Sequence, residues 1–451
     1  MEIISHAYAP VLRILKRFQR QSADGRLIKY CIPLQVEEGV LLFNLLTREL
    51  VLLTEEEYRN PTSLEYLWDR WFVVPAETRE MELVDFCRLV LRAHQKKEKN
   101  ITRYIIYTTT ECNARCFYCF QHGTAKVTMT QETAGKVRDY ILTHCGGERV
   151  RLQWFGGEPL MNPDVIDTVC DGLCQAGVEF DSYLVTNGYL LNDDMIRRAK
   201  ERWNLHSVQI TLDGTEKVYN RCKAYVDAAR SPYQVVLENL ERLRNTSVSI
   251  WVRMNLDLHN ADDLLDLVDE LGCRFKERKN TQVYVRHMFN GVESSVDLHS
   301  QEGWEMREKA LNRVIERIDR WRMLSKRGIG KVLPVVACKA EGGSAVTITP
   351  DGNIGVCDQY TDSEFVGHVD RDGFDPEMVA SWHERMPPIP ECTDCVHYPS
   401  CMLLKKCPEN KCFHQIRLRK MRERQHEMRN EYEIWKNHET PMEEDGLDLD
   451  D

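Results

Sequence analysis

Short runs dense in β-branched, aliphatic and aromatic residues recur along the middle of the chain. They read TRYIIYTTT, RVRLQWFGGEP, FDSYLVTNG, HSVQITLDG, SVSIWVRMNLD and TQVYVRHMF, and most end in polar or Gly-rich residues. Between most of them lie stretches whose apolar positions return every three or four residues, the period of a helix: Gln131–His144, Pro163–Gln175, Asn192–Trp203, Tyr233–Leu243 and Ala261–Leu271. Strand and helix in alternation predict βαβ units and an α/β fold with one parallel sheet or barrel. Chemistry in such folds sits at the carboxyl ends of the strands. Those ends carry Thr110, Gly156–Pro159, Thr186–Gly188, Asp213–Gly214 and Asn255.

The flanks follow other patterns. Residues 1–100 hold β-like runs at Tyr30–Val36, Gly39–Leu46 and Glu49–Thr54, with a hairpin turn at Glu37-Glu38-Gly39, then helical patterns at Leu64–Phe72 and Thr78–Lys96. They predict a small α+β domain. Beyond residue 289, a long helix over Glu302–Leu324 leads into a stretch rich in Cys, Gly and Pro between Cys338 and Cys412. That stretch is too irregular to bury much apolar surface, so metal ligation is the economical way to hold it. A mixed-charge helix over Phe413–Lys436 and a disordered acidic tail, MEEDGLDLDD, are expected to close the chain. The expected segments are 1–100, 101–325 for the barrel, 326–415 for the Cys-rich region and 416–451 for the last helix and tail.

Composition narrows the class. With 451 residues there is length for about three domains at ~150 residues each. Lys and Arg number 60 against 71 Asp and Glu, and a net charge of -11 argues against nucleic acid as a partner. The amino terminus is broken by Glu2, His6, Pro10, Arg13 and Lys16, so it lacks the apolar core of a signal peptide, and no run of 18 apolar residues occurs. A cytoplasmic protein with no membrane partner is expected. The 17 cysteines are clustered and odd in number, which suits metal ligation better than a disulfide framework.

Cys112, Cys116 and Cys119 stand as C-x3-C-x2-C just after the first strand of the alternation. Three thiolates on one tight loop can bind three irons of a 4Fe-4S cube and leave the fourth open to a non-protein ligand. A zinc loop or free core thiols compete for the same spacing. Here the sequence resembles the radical S-adenosylmethionine (radical SAM) superfamily, whose cluster motif has this spacing, with Phe117-Tyr118 before the last Cys. Gly156-Gly157-Glu158-Pro159 matches the family's GGEP segment, implied to receive the methionine ammonium of the cofactor, since glycines admit close backbone approach and a carboxylate pairs with an ammonium. Thr186-Asn187-Gly188 and Thr211-Leu212-Asp213-Gly214 look like the TNG and SLDG strand ends, with Thr211 in place of Ser near the ribose. Asn255 stands where the family often has a polar cofactor contact. The usual His-Asp-x-x-Arg is replaced by Tyr219-Asn220-Arg221-Cys222-Lys223, so the cation toward the cofactor carboxylate is Lys223 by register or Arg221 by residue type. The resemblance implies a partial (β/α)6 TIM-like barrel. It also implies S-adenosyl-L-methionine (AdoMet) as cofactor and a 5′-deoxyadenosyl radical that abstracts hydrogen from unactivated C–H bonds.

Downstream, Cys338-x13-Gly352-x4-Cys357 precedes Cys392-x2-Cys395-x5-Cys401-x5-Cys407-x4-Cys412. This resembles the SPASM extension of radical SAM enzymes, which binds two auxiliary iron–sulfur clusters; the gap before Cys407 is five here where three is usual. A zinc site on Cys392, Cys395, Cys401 and Cys407 is the alternative, and makes the protein a zinc-stabilised binding module. Family connectivity implies that Cys338, Cys357 and Cys407 share the cluster nearer the radical site, and that Cys392, Cys395, Cys401 and Cys412 close the distal one, for three 4Fe-4S clusters in all. Two full cubes need eight thiolates and seven are present; Ser344 stands where the full pattern has the eighth. An open iron there could accept a substrate thiolate, which favours a thioether cross-link over carbon–carbon linkage or epimerisation. Asp358 matches an acidic residue that serves as a base in sulfatase-maturing relatives; a local turn carboxylate is the competing reading. The other cysteines, at 31, 87, 145, 170, 174, 222 and 273, read mostly as core residues.

SPASM relatives of this length commonly modify peptides, and residues 1–100 look like a degenerate leader-binding fold that adds an extended peptide strand. The resemblance thus implies a ribosomally made precursor peptide as substrate and a flavodoxin or ferredoxin as electron donor. Oxidation of a sulfatase Cys or Ser and modification of a small molecule are the rival activities.

Overall fold

The computed structural model describes residues 1–18, 24–94, 100–275, 280–288, 301–324, 328–360, 362–408, 412–414 and 416–437, without the side chains of residues 301 and 304. The acidic tail lies outside the described residues. Two compact units form, one from Met1–Lys97, Lys326–Cys338 and the described residues from Trp382 onward, the other from Glu98–Ser325 and Lys339–Ser381. The four expected segments are therefore shared between two units, because the Cys-rich stretch divides. Among the described residues no helix is long and apolar enough to cross a membrane.

In the first unit, β1 (Glu2–Ser5), β3 (Cys31–Val36), β4 (Gly39–Asn44) and β5 (Glu49–Leu53) form an antiparallel sheet in the order β1-β5-β4-β3, while β2 (Gly25–Leu27) pairs with β6 (Val73–Pro75). β4 and β5 are buried along their whole length. Their side chains alternate between two apolar clusters, as the period of two requires. Leu41, Phe43, Leu50 and Leu52 pack with α1 (Ala9–Leu15) and α4 (Glu80–His94) through Val11, Leu15, Val84 and Cys87. Leu42, Val51 and Leu53 pack with Leu67, Phe72 and Val73 on the other face. Ile329 and Leu333, Tyr398 from the Cys-rich stretch, and Met428 and Tyr432 from the C-terminal helix (Arg417–Asn437) join the first cluster. Tyr398, with the half-buried Cys392 and Val396, thus rests on a hydrophobic core built mainly by the first hundred residues.

The second unit is α/β. Six strands, β7 (Arg103–Thr109), β8 (Val150–Gly156), β9 (Phe180–Thr186), β10 (Leu205–Thr211), β11 (Ser249–Leu256) and β12 (Thr281–His287), lie side by side in sequence order, each parallel to the next. Helices α5 (Gln131–His144), α6 (Pro163–Gln175), α7 (Asp193–Glu201), α8 (Glu216–Lys223), α9 (Pro232–Leu243) and α10 (Ala261–Arg274) fill the crossovers. Sequential parallel order with a helix in every crossover is the arrangement of a TIM-like core opened along one side. The six expected strands are all present, and α8 is an addition that the apolar periodicity did not reveal.

The Cys-rich stretch departs from its expected irregularity. Ala345–Ile348 forms a fully buried strand, β13, parallel to β7, and β14 (Asn353–Gly355) and β15 (Gly367–His368) continue the sheet antiparallel. Its β-branched Val346, Thr347 and Ile348 suit a strand packed on both faces.

Candidate active site

The loop after β7 carries Cys112, Cys116 and Cys119, all half-buried. Cys119 N donates to Cys116 O at 3.1 Å, closing a tight turn, and Ala114 N lies 3.4 Å from Cys112 Sγ. The loop is stitched to the end of α8 and the residues after it by Arg115 N to Lys223 O and Val226 N to Asn113 O, each 2.8 Å. Asn187, after β9, donates to Asn113 Oδ1 at 2.7 Å and reaches Cys112 Sγ at 3.9 Å. Burial, then the Glu158 charge and the other two thiols, push Cys112 up to about 11; burial also raises Cys116, against the pull of Lys223. Thiols gathered in this way gain from a cationic metal group that deprotonates them. Among the described residues no three Cys, His, Asp or Glu close around a point as the ligands of a single ion do.

The end of β8 approaches this loop as closely as backbone can. Gly156 has φ +134, and a Cβ there would lie 2.2 Å from Thr109 O; at Gly157 it would lie 2.1 Å from Glu111 O. Gly157 N donates to Thr109 O at 2.9 Å and Glu158 N to Glu111 O at 2.8 Å, so only glycine fits between the two strand ends. A Gly157→Ala variant is expected to shift the Cys112 loop and weaken AdoMet binding at least tenfold, measured by titration calorimetry on reconstituted protein.

Glu158 is fully buried, and its carboxylate accepts from Thr186 Oγ1 at 2.7 Å, Asn187 N at 2.8 Å and Leu160 N at 3.1 Å, pinning the ends of β8 and β9 together. Burial outweighs these donors and pushes it up to about 7. A carboxylate has about four acceptor sites, so three donors leave it under-compensated and able to take one more. Nearby, Gln121 Nε2 donates to Gly156 O at 3.1 Å, while its buried Oε1 has no partner among the described residues. Open acceptors on both sides of this strand end suit a cationic group, so the residues present fit the ammonium of the implied cofactor. Pro159 is buried at the start of a short 3-10 turn, its carbonyl accepting from Thr108 Oγ1 at 3.0 Å.

Asp213, after β10, is the second knot. Its Oδ1 accepts from Asn255 N at 3.0 Å, and its Oδ2 takes the Tyr118 hydroxyl and lies 3.0 Å from Lys223 Nζ. Lys223 also donates to Tyr118 Oη at 2.7 Å. All the charge here is buried. Burial pulls the Lys223 ammonium down, but Asp213, followed by Tyr118 and Cys116, holds it well above the ordinary lysine value. Burial and Asp213 together keep the Tyr118 phenol protonated. Of the two candidate cations, Lys223 faces the cysteine loop and Arg221 is exposed. The last turn of α8 places Lys223, and Ala224 ends that helix at φ 44. Thr211 is half-buried at the end of β10, paired with Arg253, whose Nε donates to Asn255 Oδ1 at 2.9 Å.

Asp358 is buried, its carboxylate 3.0 Å from Lys339 Nζ and its carbonyl accepting from Tyr107 Oη. The Tyr107 ring packs on Phe155 at 5.2 Å, and Phe155 stacks with Phe120 of the cysteine loop at 6.4 Å. Lys339 was not anticipated; no periodic or motif signal marks it. Ser344 lies elsewhere. Its carbonyl accepts from Thr102 N and Arg103 N, at the start of β7, whereas the cysteine loop follows the end of that strand. The length of β7 separates them by roughly 20 Å at ~3.3 Å per residue. Cys392, Cys395, Cys401 and Cys412 belong to the first unit, where Cys412 raises both Cys395 and Cys401 after the larger effect of burial. Cys338 and Cys407 belong to the first unit and Cys357 to the second.

A three-cysteine loop and two buried acid knots thus stand together at the carboxyl edge of a parallel sheet. Residues 106–271 match the Radical SAM superfamily model. An uncharacterized protein of Methanocaldococcus jannaschii is 30% identical over 115 residues, covering 25% of this chain and 38% of that protein. An AdoMet-dependent heme synthase of Methanosarcina barkeri is 24% identical over 179 residues, covering 39% of this chain and 49% of that one. The chain thus spans half or less of the length of these two relatives. Among solved structures, native anSMEcpe with bound AdoMet and the Cp18Cys peptide superposes with a TM-score of 0.56 at 14% identity, covering 75% of this chain and all of that one. At that identity the likeness is one of fold.

Proposed function

We propose that this protein is a radical SAM/SPASM enzyme that modifies a ribosomally made precursor peptide, with a thioether cross-link as the bond formed. The observation that carries the reading is the convergence of Cys112, Cys116 and Cys119 with Gly157, Glu158 and the Asp213–Lys223–Tyr118 knot at one end of the sheet. Bound there, AdoMet and a 4Fe-4S cluster supply a 5′-deoxyadenosyl radical. The chain's own work is to orient the cofactor. Glu158 and Gln121 offer open acceptors to its ammonium, Lys223 offers a cation to its carboxylate, and the apolar Tyr107, Phe155 and Phe120 keep water from the reacting end. A peptide substrate is supported by the peptide held in the anSMEcpe complex and by the sheet-and-helix unit that the first hundred residues build.

The place of Ser344 changes the expected route to a thioether. Ser344 lies at the opposite end of β7 from the cysteine loop; a cluster on the downstream cysteines would accept the electron released when a substrate thiol loses its proton and bonds to the carbon radical. The Asp358–Lys339 pair bears on the rival sulfatase-type oxidation. The Asp358 carboxylate is already engaged by Lys339 Nζ at 3.0 Å, so a substrate proton must compete with that ion pair for it.

The test is anaerobic reconstitution followed by reaction with the short Cys-containing peptide encoded nearest the gene. Three cubes correspond to about 12 irons per chain, and a thioether product loses two hydrogens while its cysteine resists iodoacetamide. Stoichiometric zinc without a visible chromophore favours the binding module instead; an unchanged mass with an inverted residue favours epimerisation.

A further inference from the structure

Helix α4 sends one guanidinium into the Cys-rich stretch of its own unit. Arg88 is only 7% exposed, and its Nη2 donates to Tyr398 O at 2.8 Å and to Cys401 O at 3.0 Å. Its plane lies 5.2 Å from the Tyr398 ring centroid. Asp85, one helical turn away and half exposed, sits 3.7 Å from Nη1 and accepts the Tyr398 hydroxyl at 2.8 Å. The third donor is the unusual one. Arg88 Nε is buried and has no hydrogen-bond partner among the described residues. A second guanidinium from the same sheet-and-helix framework, Arg48, 4% exposed, donates to Gly330 O at 2.7 Å and reaches Ser400 Oγ at 3.5 Å. Two buried cations therefore bracket Ser400-Cys401.

Holding a turn in place needs donors to carbonyls and does not need a buried N–H left without an acceptor, which costs about 1–3 kcal/mol. A cluster held by Cys392, Cys395, Cys401 and Cys412 would bring sulfur acceptors, and negative charge that grows by one on reduction, to the turn that Arg88 holds through Cys401 O. Charge and hydrogen bonds at the sulfurs set the potential of such clusters. We propose that Arg88, supported by Arg48, is a positioning residue that raises the reduction potential of the cluster that Cys392, Cys395, Cys401 and Cys412 would hold. The reduction adds one electron to the cluster and moves no proton. The first hundred residues then shape the redox chemistry as well as the docking of substrate. This inference rests on the reading of those four cysteines as iron–sulfur ligands.

The experiment is an EPR-monitored redox titration of the reconstituted full chain in which Cys112, Cys116 and Cys119 are Ala, with the signal assigned by its disappearance when Cys392 and Cys395 are also replaced by Ala. No such signal at all defeats the ligand reading itself, independently of Arg88. With the signal present, Arg88→Met is expected to lower the midpoint so that the ratio of reduced to oxidised cluster at a fixed potential falls at least tenfold, which is 59 mV for a one-electron couple. Arg88→Lys, which keeps the charge, should shift it by less than half as much. An iron-replete Arg88→Met protein with the parent midpoint overturns the proposal, as do equal shifts for Met and Lys. Should Arg88→Met lose its iron, Asp85→Asn decides: removal of the opposing charge must raise the midpoint, and an unchanged or lower value overturns the proposal.

Discussion

Replacing Cys112, Cys116 and Cys119 together with Ala is expected to reduce 5′-deoxyadenosine formation from AdoMet to background, while the absorption of the auxiliary clusters persists. Each thiol is the natural anchor of one iron, and the polar groups between them, Asn113, Arg115 and Tyr118, are engaged with Asn187, backbone carbonyls and Asp213. The thiols are half-buried and, apart from the Ala114 N to Cys112 Sγ contact, little of the loop's hydrogen bonding passes through sulfur. The fold should therefore survive. Backbone bonds to Lys223, Asn113 and Glu111 remain, so a change in melting temperature of only a few degrees is expected. Product formation is measured by chromatography under a chemical reductant, with iron counted in the same sample. Unchanged cleavage in the triple variant would show that the loop is not the cluster site.

What could be read in the sequence follows from what each element depends on. The six parallel strands were legible because burial on both faces writes a continuous apolar run, and the polar ends of those runs carry Glu158, Asn187 and Asp213, which the structure joins to the cysteine loop. Asn192, where the helical pattern begins, is the N-cap of α7 and accepts from Met195 N. Contacts between distant segments left no such trace. Lys223 and Arg221 sit two positions apart on one short helix, and only packing decides which is buried. Lys339 and Asp358 are 19 residues apart in a stretch without periodicity. Arg88 follows Leu83, Val84 and Cys87 on the buried face of its helix, but nothing local names its partner Tyr398, more than 300 residues away. The division of the Cys-rich stretch between two units has the same origin. Residues 345–348 follow strand propensity to the edge of β7, whereas Tyr398 is drawn into the core that the first hundred residues build.

The buried Asp213–Lys223 pair allows structural and binding roles to be separated. Removing one member of a buried pair leaves the other charge unmatched and costs about 3–5 kcal/mol. For Lys223→Met this leaves Asp213 with only Tyr118 and the Asn255 amide, and for Asp213→Asn it leaves a buried ammonium with only the Tyr118 hydroxyl. At roughly 2–4 °C per kcal/mol for a unit of this size, each single variant should melt on the order of 10 °C lower. The double variant carries no net charge in the knot and should recover a large part of that loss, a coupling of at least ~1 kcal/mol between residues in direct contact. AdoMet affinity should not recover with it. If Lys223 faces the cofactor carboxylate, as the knot's place beside the cysteine loop suggests, the double variant stays weak for AdoMet while affinity for 5′-methylthioadenosine, which lacks the amino-acid moiety, is spared. Recovery of AdoMet binding in step with stability would make Lys223 a structural partner of Asp213 alone and would leave the carboxylate of the cofactor to another residue.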